Sequence, residues 1–129
     1  MNNLNQEDLI NIAALLVHAS KIDEQYLDNE KNLIKEFITS YSTKENEEEI
    51  LKKAEEIEKN SNQLLNYTNS IKKNTTEFKS DIIEHLWKII ISDNKVDQYE
   101  SNLMRRICGL IYFPDNMCAE IKLKLLNKK

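Results

Sequence analysis

Glycine and proline occur only once each in this chain of 129 residues, at Gly109 and Pro114. Turns between β-strands usually draw on these two residues, because glycine supplies positive φ angles and proline presets a turn. Their near absence favours helices joined by connections that contain Asn, Asp and Ser. We therefore predict an all-α fold. A chain of this length is the usual size of one domain, so we expect residues 1–129 to form a single domain with one core.

The overall composition narrows the classes of protein to which the chain can belong. With 40% hydrophobic and 31% charged residues, it is too apolar to be disordered and polar enough to be soluble. No stretch approaches the roughly eighteen apolar residues that cross a bilayer, and the first residues lack the pattern of a signal peptide. We therefore expect a cytoplasmic protein without membrane insertion. The net charge of −4 disfavours nucleic acid as a partner.

Apolar residues recur at the three-and-four spacing of amphipathic helices along most of the chain. This spacing, with the capping residues, predicts about seven helices. They cover approximately residues 6–21, 28–40, 42–59, 61–73, 75–92, 98–111 and 114 to the basic tail. The fifth has the broadest apolar face, so we expect it to be the central helix of a compact bundle.

An internal repeat becomes visible when the sequence is aligned with itself at an offset of 70 residues. Asp23 then aligns with Asp93 and Glu30 with Glu100. The apolar positions that align are Leu16 with Leu86, Leu33 with Leu103, Ile34 with Met104, Phe37 with Ile107, Ile38 with Cys108, and Tyr41 with Ile111. Each copy, about 14–41 and 84–111, predicts two helices joined by an acidic turn. We expect these helical hairpins to face each other about a pseudo-twofold axis.

The repeated segments also resemble a known family. SKIDEQYLDNEKNLIKEFI and LWKIIISDNKVDQYESNLMRRICGLIY resemble the TerB-like domains, named for tellurite resistance and similar to the N-terminal domain of a membrane-anchored DnaJ-type co-chaperone. The resemblance covers about residues 14–41 and 84–113, where an Asp ends one helix and a Glu opens the next. It implies a compact, all-helical cytoplasmic domain with a metal-associated role in stress responses and no established catalytic activity.

The acidic turns allow two hypotheses. Both concern the same four carboxylates: Asp23, Glu30, Asp93 and Glu100. An EF-hand is excluded, because a loop counted from Asp93 places Gln98 where glycine is required. We favour helix caps and solvated turns, since Asp97 and Glu100 have the spacing of a capping box. In the alternative, the four carboxylates converge across the pseudo-twofold axis and hold a divalent cation such as Ca²⁺ or Mg²⁺ through oxygen ligands.

Other candidate side chains give weaker signals. Asp81 and His85 share a helix face, and we interpret them as a surface pair rather than as metal ligands. Cys108 and Cys118 are too few for a disulfide scaffold, so we favour buried free thiols over a clamp between adjacent helices.

Basic side chains cluster near the C-terminus, and we interpret them as a solvated face. They are Arg105, Arg106, Lys122, Lys124, Lys128 and Lys129. A glycine-rich phosphate loop is excluded by the single glycine, and no catalytic triad can be placed, so we do not expect an enzyme. An interaction or scaffold domain with a protein partner ranks first, a domain responsive to divalent ions second, and an unrecognised enzyme third.

Overall fold

A computed structural model describes residues 6–21, 28–42, 46–60, 67–91 and 98–127, with side chains from residue 102 onward in the last range. Within these ranges the chain forms six α-helices and no strand. The helices are α1 (Gln6–Ser20), α2 (Asp28–Tyr41), α3 (Glu47–Asn60), α4 (Thr76–Ile91), α5 (Gln98–Leu110) and α6 (Asp115–Asn127). The predicted all-α fold is confirmed.

Most of the predicted helix boundaries agree with the structure to within one or two residues. The start of α4 has the expected cap, since the Phe78 backbone N–H donates to Thr75 Oγ1 at 3.2 Å. The predicted helix over residues 61–73 is described only from residue 67, where Tyr67 and Thr68 are helical and a turn follows. The count of seven helices is therefore not confirmed. The third helix was predicted to begin at residue 42, but residues 43–45 lie outside the described residues.

Helix α1 is buried on all sides rather than on one face. The three-and-four spacing predicts one buried face, but Ile12 and Leu15 are fully buried together with Ala13 and Leu16. The reason is the position of α1, which packs against α2, α3 and α4 at once. Helix α4 is buried to a similar extent and packs against α1, α2 and α6, as expected of a central helix.

The repeated apolar positions belong to one continuous core or pack against it. Leu16 and Leu86 are both fully buried, and so are Phe37 and its counterpart Ile107. Within the described residues, α1 packs against α2 and, more extensively, against α3, while α5 makes a smaller contact with α6. A pseudo-twofold relation between the hairpins stays a prediction.

Helix α5 ends in a hydrogen-bonding pattern that usually requires glycine. The Phe113 N–H donates to the Cys108 carbonyl at 2.8 Å and the Tyr112 N–H to the Gly109 carbonyl at 3.4 Å, which is a Schellman motif. The residue after the helix must then adopt a left-handed conformation, and here it is Tyr112, with φ of 59°. This turn directs the chain into α6 and positions α6 against α4 and α5.

Candidate functional site

The structure describes only some of the four carboxylates that were predicted as metal ligands. Asp23 and Asp93 lie outside the described residues, so their separation stays untested. Glu100 belongs to the first turn of α5, but its side chain is not described. Glu30 lies in the first turn of α2 and is only 3% exposed. The Glu30 side chain is therefore buried, whereas a solvated turn would leave it exposed. Among the described residues, no group of three or more acidic, His or Cys side chains is arranged to hold a metal ion.

A buried carboxylate that the sequence interpretation missed lies at the end of α1. Glu58 of α3 is 7% exposed. It accepts hydrogen bonds from Lys21 Nζ at 2.9 Å and pairs with His18 Nδ1 at 3.3 Å. The sequence spacing could have predicted that Glu58 is buried, because Glu58 follows Ala54 by four residues on the inner face of α3.

A second polar network joins α2 to α4. The Tyr41 hydroxyl donates to Asp81 Oδ2, and Asp81 Oδ1 lies 3.5 Å from His85 Nδ1. The same ring nitrogen lies 2.9 Å from the Asp81 carbonyl oxygen. The sequence correctly predicted the Asp81–His85 pair, but its assignment to the surface was wrong. The His85 side chain is 7% exposed and packs edge-on against Phe37.

This network shifts the pKa values of all three groups. The hydrogen bond with His85 lowers the pKa of Asp81 and outweighs the opposing effect of burial. Burial alone would lower the pKa of His85, but the bonds to the Asp81 side chain and carbonyl raise it overall. Burial and the adjacent carboxylate raise the pKa of Tyr41. The arrangement favours an ionised Asp81 beside a protonated His85 and a neutral Tyr41.

Two cysteines and a tryptophan meet where α4, α5 and α6 pack together. Cys108 and Cys118 are both buried free thiols, which confirms the interpretation favoured from the sequence. The Trp87 indole N–H donates to Cys118 Sγ at 3.3 Å. Lys122 Nζ, one turn after Cys118 on α6, lies 5.1 Å from the centre of the Trp87 ring, within the range of a cation–π interaction.

The outward side of α6 carries a second apolar stripe that no described element covers. Leu123 is 56% exposed and Leu126 is 37% exposed. With the exposed Ala119 they follow the spacing of one helical face. We call these three residues the outer stripe. The opposite side of α6 packs inward through Cys118, Ile121 and Leu125. Sequence periodicity did not single out the outer stripe, because it interleaves with the buried one.

Three open clefts on the described surface are lined mainly by polar and charged residues. One lies between α2 and α3 and includes Asn32, Lys35 and Glu47. The others are formed by α1 with the turn at residues 69–74, and by α2 with the middle of α3. None of these clefts includes Asp81 or His85, whose pKa values are shifted, or either of the two cysteines. Over the described part of the chain, no helix has both the length and the apolar composition needed to cross a bilayer.

A family model matches this sequence, and its match agrees with the all-helical fold of the described residues. The model of the tellurite resistance protein TerB matches residues 9–123, from the first turn of α1 to the third turn of α6. The chain belongs to the TerB family. Neither a curated protein nor a solved structure matches it significantly. The match extends through the middle of this TerB domain, beyond the two segments on which the resemblance was first based.

Proposed function

We propose that this TerB domain is a non-catalytic, cytoplasmic interaction module, associated with stress responses, that binds a protein partner through the outer stripe of α6. The exposure of Leu123 and Leu126 on the side of α6 that faces away from the core carries the proposal. Single exposed apolar residues are common on protein surfaces. Here all the large exposed hydrophobic side chains in the described residues lie between 112 and 126, which supports one docking surface.

The charge of the C-terminal segment that carries the outer stripe favours one kind of partner. Residues 105–129 contain six Lys or Arg residues and only two acidic ones, although the whole chain carries a net charge of −4. Arg105, Arg106 and Lys124 are exposed in the structure. A partner that presents apolar side chains flanked by Asp and Glu would match both the outer stripe and the basic residues of this segment. We therefore propose an amphipathic helix with acidic flanks as the occupant, docked side by side with α6.

Photo-crosslinking in the native host tests this surface. Benzoylphenylalanine replaces Leu123 in the full chain, and a control chain carries it in place of Glu56, an exposed residue of α3. We expect one discrete adduct from position 123, absent from position 56, whose contact segment is an amphipathic helix flanked by acidic residues. An adduct with a second copy of the chain, a basic contact segment, or equal labelling from both positions would contradict the proposal.

A second candidate is a domain that binds divalent cations through Asp23, Glu30, Asp93 and Glu100. The sequence repeat favours it, because both acidic turns carry an Asp and a Glu, and oxygen ligands from converging carboxylates suit Ca²⁺ or Mg²⁺.

Calorimetry with CaCl₂, MgCl₂ and ZnCl₂ separates this candidate from the interaction module. If the site exists, Glu30→Gln should reduce the binding heat, while Glu36→Gln on the exposed side of the same helix should not. An absence of heat together with an unchanged melting temperature at millimolar metal would remove the hypothesis, and would leave the partner-binding proposal untouched.

A further inference from the structure

The outer stripe continues toward the N-terminus of α6 at a regular spacing. Asn116, Ala119, Leu123 and Leu126 are all exposed, and they follow one another at intervals of three, four and three residues. We call these four residues the seam. Their spacing is that of the a and d positions of a coiled coil, which face a partner helix. A helix that docks along the seam therefore lies at a crossing angle of about 20° to α6.

The charge of α6 changes sign along the seam. Asp115 and Glu120 are the acidic residues of this helix, and both lie in its first half. Lys122 and Lys124 lie in its second half, and two more lysines follow in the sequence. Each of these four charged residues of α6 is next to a seam residue in the sequence. The acidic residues of a partner are therefore attracted to the second half of α6 and repelled by the first half.

Acidic residues also have a preferred position within their own helix. They stabilise a helix when they lie in its first turns, because the macrodipole is positive at the N-terminus. A partner whose acidic first turns lie beside the second half of α6 runs antiparallel to α6. The positive N-terminus of the partner then lies beside the negative C-terminus of α6, so the two dipoles attract each other. Side-chain charge and helix dipole therefore favour the same direction.

Asn116 restricts the register of the partner. The other three residues of the seam are apolar, and Asn116 alone carries an amide. Docking of a helix along the seam buries this amide, and a buried amide without a hydrogen-bond partner costs free energy. A polar side chain at the facing position of the partner removes this cost. A single asparagine fixes the register of a coiled coil in the same way.

We infer that the partner helix docks antiparallel to α6, with its acidic residues beside Lys124 and a polar side chain facing Asn116. This inference rests on the proposed binding of a helix to the outer stripe, and it adds the direction and the register of that helix. A helix that ran parallel to α6, or that placed an apolar residue against Asn116, would satisfy the proposed function but not this inference.

Photo-crosslinking from two positions in the native host measures the direction. Benzoylphenylalanine replaces Ala119 in one full-length chain and Leu126 in another, and the two positions lie about 10 Å apart along α6. Mass spectrometry then maps each contact within the partner. We expect the residue captured from position 126 to precede the residue captured from position 119 in the partner's sequence. The reverse order would overturn this inference alone, whereas an absence of adducts from positions 119, 123 and 126 would remove the proposed function as well.

An Asn116→Leu variant measures the register. In calorimetric titration with the crosslinked segment as a synthetic peptide, its affinity should be at least about threefold weaker than that of the wild type, because the facing polar side chain loses its hydrogen bond. If Asn116 faced an apolar residue, the new leucine would instead strengthen binding by extending the apolar stripe. Stronger or unchanged binding would therefore overturn the inferred register. Asn60→Leu makes the same chemical change at the exposed end of α3 and should bind as the wild type does.

Discussion

Replacing Asp81 with asparagine tests the polar network that joins α2 to α4. The substitution preserves the size of the side chain but removes the charge that accepts from Tyr41 and pairs with His85. A hydrogen bond to a charged group contributes about 1.5 to 3 kcal/mol when it is shielded from water. The Asp81 side chain is 33% exposed, so solvent screens part of this contribution. We expect a loss of about 2 kcal/mol near pH 5.5.

The loss should depend on pH in a defined direction. The His85 pKa is raised above its unfolded value of 6.5, so its contribution is fully present below 6.5 and disappears as pH rises through the folded pKa. The Asp81 pKa is lowered from 3.8, so its contribution is present above 3.8 and disappears as pH falls through the folded pKa. The difference between wild type and variant should be largest between pH 3.8 and pH 6.5. It should decrease as pH rises through the folded pKa of His85, toward the contribution of about 1 kcal/mol from the Tyr41 hydrogen bond.

Urea denaturation at several pH values measures this difference as a change in the free energy of unfolding. Tyr41→Phe serves as a matched variant, because it removes the phenol bond and should cost about 1 kcal/mol without the dependence on His85. Glu84→Gln is the control on the same helix, since Glu84 pairs with Lys88 at 3.8 Å on the surface and should matter by less than about 0.5 kcal/mol. A cost for Asp81→Asn that is equal near pH 5.5 and pH 8.5 would refute the assignment of charge to His85.

Two further predictions concern single positions. Glu58→Gln should lower the free energy of unfolding by about 1 to 2 kcal/mol, because it removes the charge that pairs with Lys21 and His18. Glu56→Gln, at an exposed position of the same helix, should leave this free energy unchanged. Equal effects of the two substitutions in thermal melts would contradict the prediction. Tyr112→Gly should stabilise the protein by up to about 1 kcal/mol, because glycine relieves the left-handed strain at φ of 59° and the tyrosine is 74% exposed. A destabilised glycine variant would show that Tyr112 makes packing contacts that outweigh the strain.

The helices could be predicted from sequence wherever one apolar face and a cap occur together. Helix α5 begins at Gln98 as expected, and α4 begins directly after its capping residue Thr75. Helix α1 shows the limit of this method. A three-and-four pattern identifies one buried face, but Ile12 and Leu15 are buried because α1 has neighbours on several sides. That number of neighbours is a property of the tertiary fold and not of the local spacing.

The polar clusters could not be predicted because their members lie far apart in sequence. Glu58 contacts His18 although the two residues are 40 positions apart in the sequence, and the contact between Tyr41 and Asp81 has the same separation. Local spacing identified only the Asp81–His85 pair, whose members are one turn apart. The bond from Trp87 to Cys118 spans 31 residues and depends on how α4 and α6 pack. The acidic turns themselves were visible in sequence, but Asp23 and Asp93 lie outside the described residues.

The central claim is that the outer stripe of α6 binds an acidic-flanked helix. It is tested most directly by calorimetric titration of the chain with the contact segment recovered by crosslinking, prepared as a peptide. Leu123→Glu should weaken binding at least about tenfold without changing the melting temperature, because Leu123 is 56% exposed and the new charge would be buried only in the complex. Glu56→Gln should bind as the wild type does. Unchanged affinity for Leu123→Glu would contradict the claim.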